Sequence, residues 1–189
     1  MNYLEFVGKG GLVGVNAERL AIRNLDLAGV DMTNATLRGA DLQGTDFSGA
    51  KLLRADFSRT TVQHANFTGA DLTYCDFTGA HGRGTLFLRT RMVNTMLRRV
   101  TFKNCVFAYC DMTGSDFLQS DFLGSIFYEC KGLDEVVNAD TAIFYWYRLP
   151  GVNTRPLFEP TPGYVRVERS ATGGISFAEN VGGEKRKDE

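Results

Sequence analysis

Large apolar residues recur at every fifth position over most of the chain. The register runs from Ile22 to Phe127, and 21 of its 22 positions hold a large apolar residue, with Gly82 as the exception. The residue two places earlier is small at nearly every step, as at Ala40, Ala50 and Cys75. A period of five fits neither an α-helix, with about 3.6 residues per turn, nor a β-strand, which alternates every two. The pattern therefore predicts one large and one small inward side chain per five residues.

Such an arrangement requires the backbone to turn by about 90° at each repeat. Four repeats then close a square coil of about 20 residues, and successive coils stack like parallel strands about 4.8 Å apart. Residues 20–130 would form about 5.5 coils, a rod on the order of 26 Å long. Because each buried Phe or Leu contributes roughly 1.5–3 kcal/mol, the stacked side chains suffice for a stable core.

Several segments carry the repeat in a form that resembles a known family. These segments are GADLQ (39–43), GTDFSGA (44–50), GADLTYCDFTGA (69–80) and SDFLQSDFLGS (115–125). They resemble the pentapeptide-repeat family, whose consensus is A(D/N)LXX, over about 110 of the 189 residues. The resemblance implies an all-β fold, a right-handed quadrilateral parallel β-helix of about 5–6 coils, with a non-repeat C-terminal extension.

The ends of the chain differ from its middle, and an uncapped solenoid exposes its core and its strand edges. We expect an N-terminal cap at 1–19, the β-helix at 20–132, a C-terminal cap or extension at 133–181 and a disordered tail at 182–189. Within the extension we expect a short helix around 133–139, an aromatic segment at 142–147 and a hairpin across 164–177. The aromatic segment would seal the rod, fold back on it or form a dimer interface.

Residues 20 apart should share a face, and one face is sorted by polarity. Its core positions are Leu27, Phe47, Phe67, Phe87, Phe107 and Phe127. The outward residue before each core position changes from Asp26, Asp46 and Asn66 to Leu86, Val106 and Ile126, and the one after it from Ala28, Ser48 and Thr68 to Leu88, Ala108 and Tyr128. Stacked apolar residues form a contiguous patch, which the protein's own tail, a second copy or another protein should cover.

Charge is nearly balanced overall but segregated along the rod. The chain has 21 basic and 22 acidic residues, which argues against a strongly basic nucleic-acid binder and against a strongly acidic protein. Residues 80–109 contain no acid and six basic residues: Arg83, Arg89, Arg91, Arg98, Arg99 and Lys103. This basic girdle is either compensated by neighbouring coils or a docking surface for an acidic partner.

Candidate chemistry is sparse. His64 and His81 fall at outward positions without metal-ligand spacing. The four cysteines replace Ala at the small inward position, and Cys110 and Cys130 lie one coil apart, within disulfide range, although a reducing compartment favours free thiols. At HGRG (81–84) we expect a local dent or bulge, or else a loop or ligand contact. We predict no catalytic, cofactor-binding or metal-binding residue, no cofactor and no enzymatic activity.

No signal-peptide pattern opens the sequence and no apolar run is long enough for a membrane span, so we expect a cytoplasmic protein without direct nucleic-acid or membrane binding. The first hypothesis is a non-catalytic scaffold for protein–protein interaction. The resemblance implies an alternative, a DNA mimic that binds a topoisomerase such as gyrase and confers quinolone resistance or self-protection. Residues 20–130 carry 11 acidic and 11 basic residues, too little negative charge for a mimic of duplex DNA, although Asp56, Asp76 and Asp116 share one face. The candidate interface comprises Leu86, Leu88, Val106, Tyr109, Ile126 and Tyr128 with the six basic residues of the girdle.

Overall fold

The chain winds into a right-handed quadrilateral parallel β-helix. The computed structural model describes residues 12–145 and the strands Arg166–Arg169 and Ile175–Ala178. Residues 20 apart pair in parallel up the rod, as in the bridges Asp26↔Asp46, Asp46↔Asn66 and Asn66↔Leu86. The Phe47 N–H donates to the Asn66 carbonyl one coil above at 2.8 Å. The expected 20-residue coil is confirmed.

Three-residue strands develop in the upper part of the rod. They are β1 (His81–Arg83), β2 (Leu86–Leu88), β3 (Thr101–Lys103), β4 (Val106–Ala108), β5 (Asp121–Leu123), β6 (Ile126–Tyr128) and β7 (Ile143–Tyr145). One parallel sheet has the order β1-β3-β5-β7 and the adjacent one the order β2-β4-β6. Because the strands of one sheet stack in register, their outward side chains form straight columns along the rod.

Large apolar side chains fill the interior in files, one per face. We call the face with the Phe47, Phe67, Phe87, Phe107 and Phe127 file the Phe face. Successive rings stack with centroids 4.6 Å (Phe107–Phe127) to 5.2 Å (Phe67–Phe87) apart and planes within 8° of parallel. All five are buried, so the ladder expected from the sequence is confirmed.

Near the carboxyl end the coils continue, but the number of residues between paired positions of successive coils increases. Lys131 pairs with Asp111 at a separation of 20 residues, Val137 with Asp116 at 21 and Ile143 with Asp121 at 22. Two short 3-10 helices, Leu133–Glu135 and Ala139–Thr141, take up the added residues. They replace the single short helix expected around 133–139.

The regular coil extends beyond both ends expected for the β-helix. Regular coil already exists at Ala17, whose N–H donates to Thr36, and it extends past residue 132 to β7, so the divisions at 19 and 132 stay predictions. β8 (Arg166–Arg169) pairs antiparallel with β9 (Ile175–Ala178), which is the pairing that the expected hairpin requires. The residues that connect the two strands lie outside the described part of the chain. The remainder of the aromatic segment, the first part of the N-terminal cap and the tail at 182–189 lie outside the described residues.

Candidate interaction surface

The upper half of the Phe face carries an apolar surface made of three adjacent strands. We define the apolar patch as Leu86 and Leu88 on β2, Val106 and Ala108 on β4 with Tyr109 after it, and Ile126 and Tyr128 on β6. The register Leu86↔Val106↔Ile126 and Leu88↔Ala108↔Tyr128 forms two straight columns, and Tyr109 lies beside the second. The structure therefore brings all six apolar candidates of the sequence together on one surface.

The lower half of the same face has a different backbone because its outward residues are Asp or Asn. The Asp46 carboxylate accepts the Ser48 N–H at 2.8 Å, and the Asn66 side-chain oxygen accepts the Thr68 N–H at 3.1 Å. Such turns, closed by a short side chain, compete with extended structure. At Leu86 no such acceptor exists, and apolar and β-branched residues favour a three-residue strand. The replacement of Asp and Asn by Leu, Val and Ile along this face thus changes both the polarity of its surface and the conformation of its backbone.

Exposure within the patch is graded. Leu86, Leu88 and Tyr109 are 43%, 36% and 47% exposed. Val106, Ile126 and Tyr128 are half-buried against their column neighbours, and Ala108 is buried. The Tyr109 and Tyr128 rings meet edge to face with centroids 5.4 Å apart. A hydrogen bond with Glu129, together with burial and Tyr109, raises the pKa of Tyr128 to about 12, so this hydroxyl stays neutral at physiological pH.

The six basic residues of the girdle encircle the rod and divide into paired and unpaired groups. Arg98 contacts Asp116 at 2.6 Å and Lys103 contacts Asp121 at 3.0 Å, each bridging to the coil above. Arg99 donates to the Gln119 side chain at 3.3 Å. Within residues 12–145, Arg83, Arg89 and Arg91 form no ion pair and no side-chain hydrogen bond. Compensation by neighbouring coils thus accounts for part of the girdle, and the remaining cations lie in the coil of β2, the lowest strand of the apolar patch.

Asp116 anchors the most buried of these pairs. Its side chain is 8% exposed, and its carboxylate also accepts the Asn138 amide at 2.8 Å and the Leu118 N–H at 3.0 Å. Burial alone would raise the pKa of Asp116, but the bonds from Asn138, Arg98 and Leu118 outweigh it and lower the pKa. Because the Arg98 guanidinium compensates the charge of the Asp116 carboxylate, Asp116 adds little to the acidic column with Asp56 and Asp76.

A charge pattern that sequence reasoning missed lies on the neighbouring face. The outward residues there alternate in sign at 20-residue spacing: Asp31, Lys51, Asp71, Arg91, Asp111 and Lys131. Lys131 approaches Asp111 to 3.4 Å and Lys51 approaches Asp31 to 4.0 Å. Writing the sequence in rows of 20 would have revealed the alternation. This face is therefore nearly neutral, and Arg91 lies in register between two carboxylates.

The cysteines, which are candidate reactive groups, lie in the core of the rod. All four cysteines are buried free thiols, and Cys110 donates to the Phe87 carbonyl at 2.7 Å. Among the described residues no cluster of His, Cys, Asp or Glu could hold a metal ion, and no helix is long and apolar enough to cross a membrane.

The HGRG segment contains neither of the irregularities expected from its sequence. β1 pairs with β3 in unbroken register, so no bulge exists. The Phe102 ring of the next coil occupies the space above Gly82, where an added Cβ would lie 2.8 Å from the Phe102 Cδ1 atom. The Phe102 ring thus fills the space that a large side chain at position 82 would occupy, and the expected dent is absent.

Comparison with known proteins agrees with this architecture. The family model described as pentapeptide repeats matches in eight copies, over residues 21–52, 50–87, 65–104 and 95–131. No curated protein sequence is significantly similar to the chain.

Solved structures similar to the chain include several pentapeptide repeat proteins. HetL of the cyanobacterium Nostoc, involved in heterocyst differentiation regulation, is 16% identical with a TM-score of 0.31, over 76% of this chain and 97% of HetL. Full-length QnrB1, a plasmid-mediated fluoroquinolone resistance protein, is 16% identical with a TM-score of 0.39, over 71% of this chain and 91% of QnrB1. A pentapeptide repeat protein of the Arabidopsis thaliana thylakoid lumen is 27% identical with a TM-score of 0.27, over 53% of this chain and 66% of its own. With its 20-residue coils and its matches to the family model over most of the rod, the chain belongs to the pentapeptide-repeat family.

Proposed function

We propose that this protein is a non-catalytic scaffold that binds another protein chain through the apolar patch on its Phe face. The single observation that carries the proposal is the change of one straight face from Asp, Asn, Ser and Thr to Leu, Val, Ile and Tyr halfway along the rod. A solvated face gains nothing from such a change, whereas an aromatic and aliphatic patch rimmed by arginine is the usual composition of an interface core.

The packed interior supports the non-catalytic part of the proposal. Phe rings in van der Waals contact fill the coil, and the buried thiols and hydroxyls already donate to carbonyl groups, as Thr90 does to Phe67 at 2.8 Å. Burial raises the pKa of the Cys75 thiol, which makes it a poor nucleophile. We propose a cytoplasmic setting, which the four free thiols support because a reducing compartment preserves them.

Site-specific crosslinking in the cell of origin tests the scaffold role. A photocrosslinker placed in the Leu86 column should capture a discrete protein, and the double variant L86T/L88N should reduce this capture at least tenfold. The matched control S48N/T68N alters the same face in its polar half and should leave capture unchanged. Crosslinks that are equally abundant in both variants, or spread evenly over the rod, would contradict the proposal.

The alternative function, mimicry of DNA toward a topoisomerase, receives less support from the charge distribution. Duplex DNA presents one charge per about 1.7 Å of axis. On this rod a middle section without acids interrupts the carboxylates, and the buried Asp116 is already paired with Arg98. We therefore rank it second.

A further inference from the structure

One corner of the Phe face carries opposite charges at equal distances from a tyrosine. Arg89, Tyr109 and Glu129 occupy the same position in three successive coils, each with a left-handed backbone (φ 53°, 56° and 46°). The Arg89 N–H donates to the Ala108 carbonyl and the Tyr109 N–H to the Tyr128 carbonyl, which fixes them in one column. Among the described residues neither Arg89 nor Glu129 forms an ion pair. From the lower coil to the upper one, the column therefore holds a cation at Arg89, an aromatic ring at Tyr109 and an anion at Glu129.

A two-fold axis parallel to β4 would place this column opposite the same column of a second copy in reverse order, so that the positive end of each faces the negative end of the other. Rotation about such an axis places a second rod antiparallel to the first, with the two Phe faces in contact. The β2 row of one copy then lies opposite the β6 row of the other, and the two β4 rows face each other. Arg89 of each copy meets Glu129 of its partner, while Leu86 and Leu88 meet the apolar row of Ile126 and Tyr128.

We propose that the partner bound by the apolar patch is a second copy of this chain, packed antiparallel about an axis along β4. This rests on the proposed function, because it identifies the occupant of the same surface. An isologous interface requires one patch to complement itself. The patch complements itself in both polarity and charge. Its apolar columns run through all three strands, and its opposite charges, Arg89 and Glu129, which form no ion pair among the described residues, are equidistant from the centre.

Charge favours this occupant over the protein's own tail. Residues 146–189 contain seven basic and six acidic residues, so the tail brings no excess of carboxylate to the arginine edge. A parallel arrangement of two copies, about an axis along the rod, would place each corner opposite the other corner of the partner's face, so it would not bring Arg89 to Glu129. On the neighbouring face, Lys131 is bound to Asp111 in its own chain and Arg91 lies in register between Asp71 and Asp111, so their repulsion across the dimer is compensated.

The size of the patch sets the expected strength of the dimer. Three strands about 4.8 Å apart cover about 15 Å of the rod, and three residues per strand at about 3.3 Å each give a width of about 10 Å. The patch therefore covers on the order of 150 Å², well below the roughly 800 Å² per partner of a standard interface. We therefore expect a reversible dimer that forms with rising protein concentration and weakens with salt, because its charge pairs lie at the solvent-exposed edge.

Charge reversal tests the arrangement on the full-length chain. R89E and E129R each replace two attractive contacts per dimer by repulsive ones, and each should weaken self-association about tenfold or more in sedimentation equilibrium. An equimolar mixture of the two variants should associate again, because every contact between unlike chains becomes attractive. The double variant R89E/E129R should also dimerise. Both positions already hold long side chains at the same backbone conformation, so circular dichroism should show an intact fold.

Two results would overturn the inference. One is a wild-type chain that remains monomeric over roughly two decades of concentration. The other is a dimer that neither single variant weakens, which would place the interface elsewhere, for instance at the edge of β7. In both cases the crosslinking experiment with L86T/L88N still decides whether a different protein occupies the patch, so failure of the dimer is distinguishable from failure of the scaffold function.

Discussion

At the residue scale, the small inward position has two uses. Where it holds Ala it only makes room. Ser, Thr or Cys at this position donates to the carbonyl of the core residue 23 places earlier, except at Thr60, which donates to Phe57 in its own coil. Thr85 donates to Val62 at 2.7 Å, Ser115 to Met92 at 2.6 Å and Ser125 to Phe102 at 2.7 Å. Because a buried hydroxyl without a partner costs about 1–3 kcal/mol, this bond lets polar residues enter a dry core. It also links each coil to the coil below.

Gly82 provides a packing test at this scale. We expect G82A to destabilise the fold by about 1–3 kcal/mol, because its Cβ would overlap the Phe102 ring and the Thr85 hydroxyl, each at 2.8 Å. Urea denaturation followed by circular dichroism measures the change. In F102L the smaller side chain leaves room, so the added penalty of G82A should fall in the double variant. An equal penalty in both backgrounds would contradict the assigned contact.

Asp116 provides a test of pH dependence. Its pKa in the folded state is lowered, so its contribution to stability is complete above its unfolded pKa near 4 and is lost as the pH falls through the folded value. We expect D116N to be about 1 kcal/mol less stable than wild type at pH 7 and the difference to shrink as the pH falls below 4. The control D134N, at an exposed position, should match wild type at both pH values. A pH-independent difference would argue against the carboxylate as its source.

At the element scale, each strand has only three residues and depends on the coils above and below it. β5 pairs with β3 below and with β7 above, so β7 covers an edge that would otherwise carry unpaired backbone groups. Val136 and Ala139 are buried in the same last coil. The lengthened steps after Lys131 thus extend the sheet and cover the upper end of the core, although their sequence has lost the five-residue period.

Ending the chain after residue 132 tests this covering role. We expect the rod to remain folded but to aggregate, because β5 loses its upper neighbour and the upper core loses Val136 and Ala139. Circular dichroism should retain the β signal while light scattering increases with time and concentration. A truncated chain that stays soluble, associates no further than the full chain and is as stable would contradict the role of the last coil.

At the scale of the whole molecule, the rod sorts its properties by face. The Phe face is polar below and apolar above, the neighbouring face alternates in charge, and the basic girdle surrounds the middle of the rod. Since 11 acidic and 11 basic residues over 20–130 cancel, no large field of one sign extends from the rod. Recognition should therefore depend on short-range contacts at the patch rather than on long-range steering.

This balance predicts the outcome of a supercoiling assay. We expect added protein to leave the supercoiling activity of gyrase unchanged and to give no rescue from a quinolone, because the rod lacks the continuous negative charge of duplex DNA. QnrB1, a plasmid-mediated fluoroquinolone resistance protein, serves as the positive control. Inhibition or quinolone rescue at submicromolar protein would reverse the ranking of the two functions.

The sequence by itself determined the coil, because every step buries one large and one small side chain and the same local pattern repeats. The 20-residue period, the Phe ladder and the change of polarity along one face all follow from that repeat and can be read from Phe47 to Phe127. The hairpin could also be predicted, since its alternation is local.

Only the tertiary structure decided which side chains find partners across coils. Arg98 and Lys103 reach a carboxylate 18 residues ahead, whereas Arg83 and Arg89 reach none in the part of the chain that the structure describes. Pairing depends on which face and which corner each residue occupies. The same holds for Gly82, whose vacant space is filled by a ring from the next coil, and for residues 131–145, whose lengthened steps are held in place by β5 and its neighbours. A repeat in the sequence fixes the path of the backbone, whereas contacts between coils depend on distances that no single repeat contains.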